Sequence, residues 1–182
     1  MLKRQTLLKY LIGGHVLFLL SACYALQPEE DARQVAVKIQ STSGSQVSGS
    51  VAFIPEKWGK VRVSGEIRGL TPGSHGFHVH EYGDCSASDG SSAGGHYNPK
   101  SKDHGSPEMT SHHAGDLGNI VADNNGVARV DSTFDHLQLK GHHSIVGRAV
   151  IVHEKADDLT SQPSGAAGKR LGCGVIGIQA AS

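Results

Sequence analysis

The chain has 182 residues with 17 Lys and Arg set against 17 Asp and Glu, and this even balance argues against a nucleic-acid binder, which would carry a basic excess. Its 24 glycines, 4 phenylalanines and single tryptophan describe a turn-rich chain of short strands, while a 37% hydrophobic content supports one core and excludes wholesale disorder. Histidine stands out at 12 residues, a first sign of metal chemistry, with ordinary surface histidines as the plain explanation for some of them.

At the front, Lys3, Arg4 and Lys9 precede a short apolar run from Leu11 to Leu20, about half the roughly 20 residues that a spanning helix needs. Residues 1–22 therefore read as an export signal. The run ends in Leu20-Ser21-Ala22-Cys23, which resembles the lipobox of bacterial lipoproteins, where cleavage precedes the cysteine and that cysteine carries the lipid. On this reading Cys23 becomes a lipidated N-terminus, and the protein is expected in the periplasm or cell envelope, tied to a membrane; a signal cleaved elsewhere or kept is the alternative. The mature chain retains 14 basic and 17 acidic side chains. Residues 23–33, with Pro28, Glu29, Glu30 and Asp31, form a tether, and 34–182 a single domain.

Export favours disulfides, and with Cys23 assigned to the lipid, Cys85 and Cys173 are an even pair expected to bond to each other. Two buried thiols are the alternative, which an oxidising compartment disfavours. Chain-entropy arguments give a crosslink over this distance roughly 4–5 kcal/mol before native strain is subtracted.

From Val35 onward, alternation dominates. Val35, Val37 and Ile39 recur at every second residue, as do Val47, Gly49, Val51 and Phe53, and then Val61, Val63, Gly65 and Ile67, the period of half-buried strands. Pro72-Gly73 marks a turn, and Asn125-Gly126 a hairpin between Ile120-Val121 and Val127–Val130. Runs over Ile145–His153 and Cys173–Ile178 complete about eight strands, which points to an all-β sandwich or barrel. Tyr82–Ser111 and Glu154–Arg170 are too long and too rich in Gly, Ser, Asp and Pro for ordinary hairpin loops, so they need a bound metal or a disulfide to order them.

His78-Val79-His80 lies in such a strand, where residues two apart share a face about 6.6 Å apart along it, so two imidazoles can reach one ion. Alone, an H-x-H pair is a weak signal. His96, His104, His113 and Asp116 follow on the Gly/Ser-rich segment and His153 ends a strand, giving six histidines and one carboxylate. Three histidines with an aspartate suit zinc, and four nitrogens without thiolate suit copper(II), so the donors divide into two sites. No H-E-x-x-H helix is present, which argues against a zinc protease.

Gly76-Phe77-His78-Val79-His80-Glu81, Gly94-Gly95-His96-Tyr97-Asn98-Pro99, His113-Ala114-Gly115-Asp116-Leu117-Gly118-Asn119, the run Val152–Leu159 and the run Arg170–Gly177 closely resemble the copper/zinc superoxide dismutases, in order from about Val35 to the end. The resemblance implies an eight-stranded Greek-key β-sandwich or barrel with two long functional loops. It implies that His78, His80, His96 and His153 bind copper, and that His96 is shared, with His104, His113 and Asp116 completing a zinc site. Asp157 matches a carboxylate that bonds one histidine of each site, and Arg170 an arginine that draws in and orients the anion beside copper. His75 matches a structural histidine bonded to backbone, whereas His112, His136, His142 and His143 match no ligand and are assigned to the surface.

The implied reaction is the dismutation of superoxide to oxygen and hydrogen peroxide, with copper carrying the electron, zinc holding the loop, and His96 taking up and delivering a proton. Two departures limit the transfer. The spacing of Cys85 from His80 and His96 looks like the bacterial branch of the family, so the geometry of a homodimer does not carry over. The segment before Arg170 lacks a glutamate-rich steering pattern, leaving Lys155, Lys169, Lys100 or Lys102 to attract superoxide. A metal carrier on the same fold is the competing reading, but it would have no need of Arg170. A zinc hydrolase would need an open zinc position, which the fourth donor closes.

Overall fold

The computed structural model describes residues 35–179; the expected export signal, Cys23 and the expected tether lie outside them. Among the described residues nine strands follow in chain order: β1 (Val35–Ser41), β2 (Ser48–Pro55), β3 (Val61–Arg68), β4 (Gly73–His80), β5 (Asp116–Ala122), β6 (Val127–Phe134), β7 (Ala149–His153), β8 (Arg170–Val175) and β9 (Gly177–Ile178). The last is a two-residue piece set off from β8 by Ile176, so the architecture is the expected eight strands plus a stub.

All pairings are antiparallel, in the order β2-β3-β6-β5-β4-β7-β8-β1, and a further β1–β2 ladder from Val35↔Phe53 to Ile39↔Gly49 closes the barrel. The crossing from β3 to β6 makes the Greek key. Phe53, Ile67, Ile39, Phe77, Val79, Val150 and Val152 fill the interior. Among the described residues no helix is long and apolar enough to cross a membrane.

One local reading of the sequence is corrected. The run Ile145–His153 is a strand only from Ala149: Ile145 is buried in the core, but Arg148 N–H bonds Ile145 O in a turn. An apolar run records burial, not conformation. The expected hairpin at Asn125-Gly126 is present between β5 and β6, and its loop is wider than two residues. Gly126 N–H bonds Asp123 O, Asp123 Oδ1 caps the amides of Asn125 and Val127, and only Gly126 takes positive φ, at +73°. This is the wider loop built on a type I turn followed by a left-handed glycine.

Alternation decides where the chemistry sits. In β4, Phe77 and Val79 point into the barrel, so His78 and His80 point out; in β7, Val150 and Val152 point in, so Ile151 and His153 point out. These outward positions are nevertheless buried, because the loops 81–115 and 154–169 fold over that face. The Cys85–Cys173 disulfide, with Cα atoms 5.8 Å apart, ties the first loop to β8 above a small apolar cluster of Ala93, Ala149 and Ile151.

Candidate metal centre

Under the two loops, His78, His80, His96 and His153 form one group of donors, and His96, His104, His113 and Asp116 a second; within each group the ligand atoms lie within 4.8 Å of one another. His78 and His80 come from β4 and His153 from the end of β7, where the register slips at both Gly76/His78 and Val152/His153. These irregularities turn the side chains toward one point. The loop supplies His96, His104 and His113, and Asp116 opens β5.

The hydrogen bonds of each ring fix which nitrogen faces inward. His78 Nε2 lies 2.8 Å from Asp157 Oδ2, His80 Nδ1 3.0 Å from Gly94 O and His153 Nδ1 3.4 Å from Gly168 O. Since each partner only accepts, those nitrogens carry the proton. Left over, buried and without a hydrogen-bond partner, are His78 Nδ1, His80 Nε2, His153 Nε2 and His96 Nε2. Four orphaned lone pairs converging in a buried site are costly unless a cation takes them, and they suit copper.

In the second group three ring nitrogens meet one oxygen. Asp116 Oδ1 lies 2.8 Å from His96 Nδ1, 3.1 Å from His104 Nδ1 and 3.2 Å from His113 Nδ1. Its other oxygen is held by the backbone amides of His113, at 2.8 Å, and Gly105, at 3.2 Å. Three nitrogens and a carboxylate in a closed arrangement suit zinc. His96 thus presents one nitrogen to each group, and both can bind an ion at once only when the ring has lost both protons, which two cations together favour.

Asp157 joins the groups. Its carboxylate takes His78 Nε2 on one oxygen and His104 Nε2, at 2.9 Å, on the other. Its backbone is clamped twice by the Asn119 amide: Asp157 N–H donates to Oδ1 at 2.8 Å and Nδ2 donates to the Asp157 carbonyl at 2.9 Å. A like pair of bonds between the Gln162 amide and the His104 backbone, each 2.9 Å, pins the second loop to the first. Gly165, at φ +67°, approaches so closely that a Cβ there would overlap the Asp157 carboxylate. Asn119, Gln162 and Gly165 carry no sequence signal of their own, although Asn119 ends a distinctive motif.

Electrostatics follow the packing. Burial pushes His80 and His153 well below the usual imidazole range and brings His96 down to about 4. Burial opposes ionisation at His104 too, but hydrogen bonds to Asp116 and Asp157 outweigh it and raise the ring to about 9. The same histidines hold both carboxylates far below their ordinary values against the pull of burial.

Arg170 begins β8 with a half-buried guanidinium. Nη1 donates to Gly90 O and Nη2 to Gly94 O, each at 2.7 Å. His75 bonds the carbonyls of His153 and Thr71, each at 2.8 Å. Of the four histidines assigned to the surface, His142 is exposed, but His136 is only 14% exposed and its ring stacks edge-on against half-buried His112 at 4.4 Å. Surface placement fails there because the first loop folds over β6.

Residues 47–176 match the family profile described as copper/zinc superoxide dismutase (SODC). The chain is 49% identical over 142 residues to superoxide dismutase (Cu-Zn) 2 of Mesembryanthemum crystallinum, covering 75% of this chain and 90% of that protein. It is 48% identical over 149 residues to superoxide dismutase (Cu-Zn) A of Xenopus laevis, covering 79% and 97%, and 43% identical over 154 residues to the extracellular superoxide dismutase (Cu-Zn) of Brugia pahangi, covering 80% and 76%. A solved structure titled as the clock protein EA4 superposes with a TM-score of 0.74 at 44% identity, over 81% of this chain and 96% of that one.

Proposed function

This chain belongs to the copper/zinc superoxide dismutase family, oxidoreductases that dismutate superoxide with copper and zinc, and from that premise we propose that it works at the cell envelope, exported by residues 1–22 and held to a membrane by a lipid on Cys23. Its task there is to remove superoxide arising outside the cytoplasm. The charged and apolar pattern before Cys23 supports this reading, as does the Cys85–Cys173 disulfide, a bond that persists in oxidising compartments. The name of the Brugia pahangi relative, an extracellular enzyme, points the same way.

The observation that carries the assignment of residues is the set of four inward-facing, unpartnered ring nitrogens beside a closed cluster that shares His96. On it we assign His78, His80, His96 and His153 to copper and His96, His104, His113 and Asp116 to zinc. Bound copper supplies the one-electron chemistry of 2 O2⁻ + 2 H⁺ → O2 + H2O2, and zinc, which has no redox chemistry, supplies charge and geometry. Arg170 binds and orients the anion with a guanidinium that two backbone carbonyls hold in place. His96 Nε2 is the protein's site for holding a proton next to the reduced oxygen. Asp157 keeps His78 and His104 in the tautomers that direct their free nitrogens inward.

Lys155 and Lys169 flank His153 and Arg170 along the chain, and we assign the attraction of superoxide to them; Lys102 Nζ is engaged with Thr110 O at 2.9 Å on the zinc loop. Tyr82 and Val175, both exposed, lie on segments that meet where Gly83 approaches the Val175 side chain, and would be the contact in a homodimer. Copper and zinc analysis with a dismutation assay tests the residue assignment. His153→Ala is expected to lose copper and nearly all activity while keeping zinc, and wild-type activity without copper would overturn the mechanism. Cell fractionation tests the location: Cys23→Ser is expected to release the protein from the membrane fraction.

A further inference from the structure

The end of the barrel where the described chain enters carries an exposed patch that the metal centre does not use. The β2–β3 hairpin turns through Glu56–Lys60, and at its tip Trp58 is 91% exposed and holds a left-handed backbone at φ +60°. That conformation is rare for a bulky residue, and an indole in water gains nothing from burial, so fold stability accounts for neither. Lys57 and Lys60 flank it, with Glu56 as the opposing charge on the turn; Arg62 is engaged by Asp131 at 2.6 Å. An exposed tryptophan among lysines is the composition that settles at a membrane–water boundary, the ring among headgroups and the ammonium groups on lipid phosphates.

Connectivity says which segment of the chain meets this end. Val35 pairs with Phe53, two residues before the end of β2, so the chain that leads into Val35 joins the barrel beside the hairpin. Ile178, also exposed, pairs with Val35 and adds an apolar side chain there. At the other end of β1, Thr42 Oγ1 donates to Arg170 O, which puts the anion-binding arginine roughly 20 Å away along the strand.

We propose that the Trp58 hairpin rests on an anionic lipid surface, with Trp58 in the headgroup layer and Lys57 and Lys60 on phosphates, so that the Arg170 side faces the aqueous compartment. The orientation rests on the reading that Cys23 carries a lipid, since the chain from Cys23 to Val35 reaches at most about 40 Å and draws this end of the barrel to the membrane first.

Trp58 is the one tryptophan in the chain, so its fluorescence reports the hairpin directly. The full-length, metal-loaded protein, lipidated or as Cys23→Ser, is mixed with phosphatidylcholine vesicles containing phosphatidylglycerol, with and without brominated acyl chains. Blue-shifted emission that bromine quenches is expected in the vesicle-bound lipidated form. In Cys23→Ser the same shift is expected to weaken with salt and to be lost in Lys57→Glu/Lys60→Glu, with dismutase activity unchanged. Water-exposed, unquenched emission from vesicle-bound lipidated protein overturns the proposal and leaves the lipid on Cys23 intact. A protein found without lipid whose Trp58 is still quenched keeps the hairpin contact and refutes the Cys23 reading. A blue shift that grows with protein concentration in the absence of vesicles assigns Trp58 to contact between copies and overturns the membrane contact.

Discussion

Arg170 and His80 donate to one acceptor: the Gly94 carbonyl oxygen takes Arg170 Nη2 at 2.7 Å and His80 Nδ1 at 3.0 Å. The Arg170 guanidinium and a ring of the first histidine group are therefore positioned by the same peptide unit. The disulfide at Cys85 holds the segment that carries it.

Arg170→Lys separates charge from geometry. A lysine keeps the charge but cannot span Gly90 O and Gly94 O as the fork does. Hydrogen bonds to charged groups are worth about 1.5–3 kcal/mol, so Arg170→Ala is expected to lower kcat/KM by roughly ten- to a hundredfold and Arg170→Lys by less. Both variants should retain copper and zinc. The rate of Arg170→Ala should also depend less on ionic strength, which stopped-flow assays across a salt series would show.

Asp157→Asn keeps the size of the side chain and removes its second acceptor. An amide can accept from His78 or from His104, but it turns a donor toward the other ring. Zinc affinity is expected to fall about 10- to 100-fold, as measured by chelator competition. Asn119→Ala, which frees the Asp157 backbone, should give a smaller loss in the same direction.

Gly165 and Gly44 form a matched pair. Both hold positive φ, but a Cβ at Gly44 would meet nothing within 4 Å, whereas one at Gly165 would overlap the Asp157 carboxylate and stand 2.7 Å from His104 Nε2. Gly44→Ala should cost only the backbone term, about 1–2 kcal/mol. Gly165→Ala should cost more and also weaken zinc binding. Calorimetry reads the difference at about 2–4 °C per kcal/mol.

Metal-free protein should be most stable near pH 6.5. The unfolded histidines protonate at about 6.5, whereas folded His96 resists until about 4 and His80 and His153 resist further, so stability falls as the pH drops below 6.5. His104 has the opposite sign. Its folded value near 9 gives stability that is complete below 6.5 and lost as the pH rises through 9. Melting temperature against pH should show both limbs, and His104→Gln should remove the alkaline one alone.

The strands β1, β2 and β3 are legible from sequence because each has one face in the core and one in water, which writes a two-residue period into the chain. The start of β7 is not, since Ile145 is as buried as Ile151 without being in a strand. The seven donors announce themselves by residue type. Asn119, Gln162, Gly94 and Gly165 do not, because they act through backbone bonds or through the absence of a side chain, and such roles exist only once distant loops have met. His136 goes unread for the same reason: whether a ring after a strand is wet depends on a loop some 25 residues earlier in the chain.

Among the described residues β1 is engaged on both sides, by β2 on one and by β8 and β9 on the other. A neighbouring chain cannot add a strand at β1 as it stands. The thin seam of the barrel is instead the one between β5 and β6, which share only the Ala122↔Ala128 pair, so it is there that resistance to an incoming strand is decided.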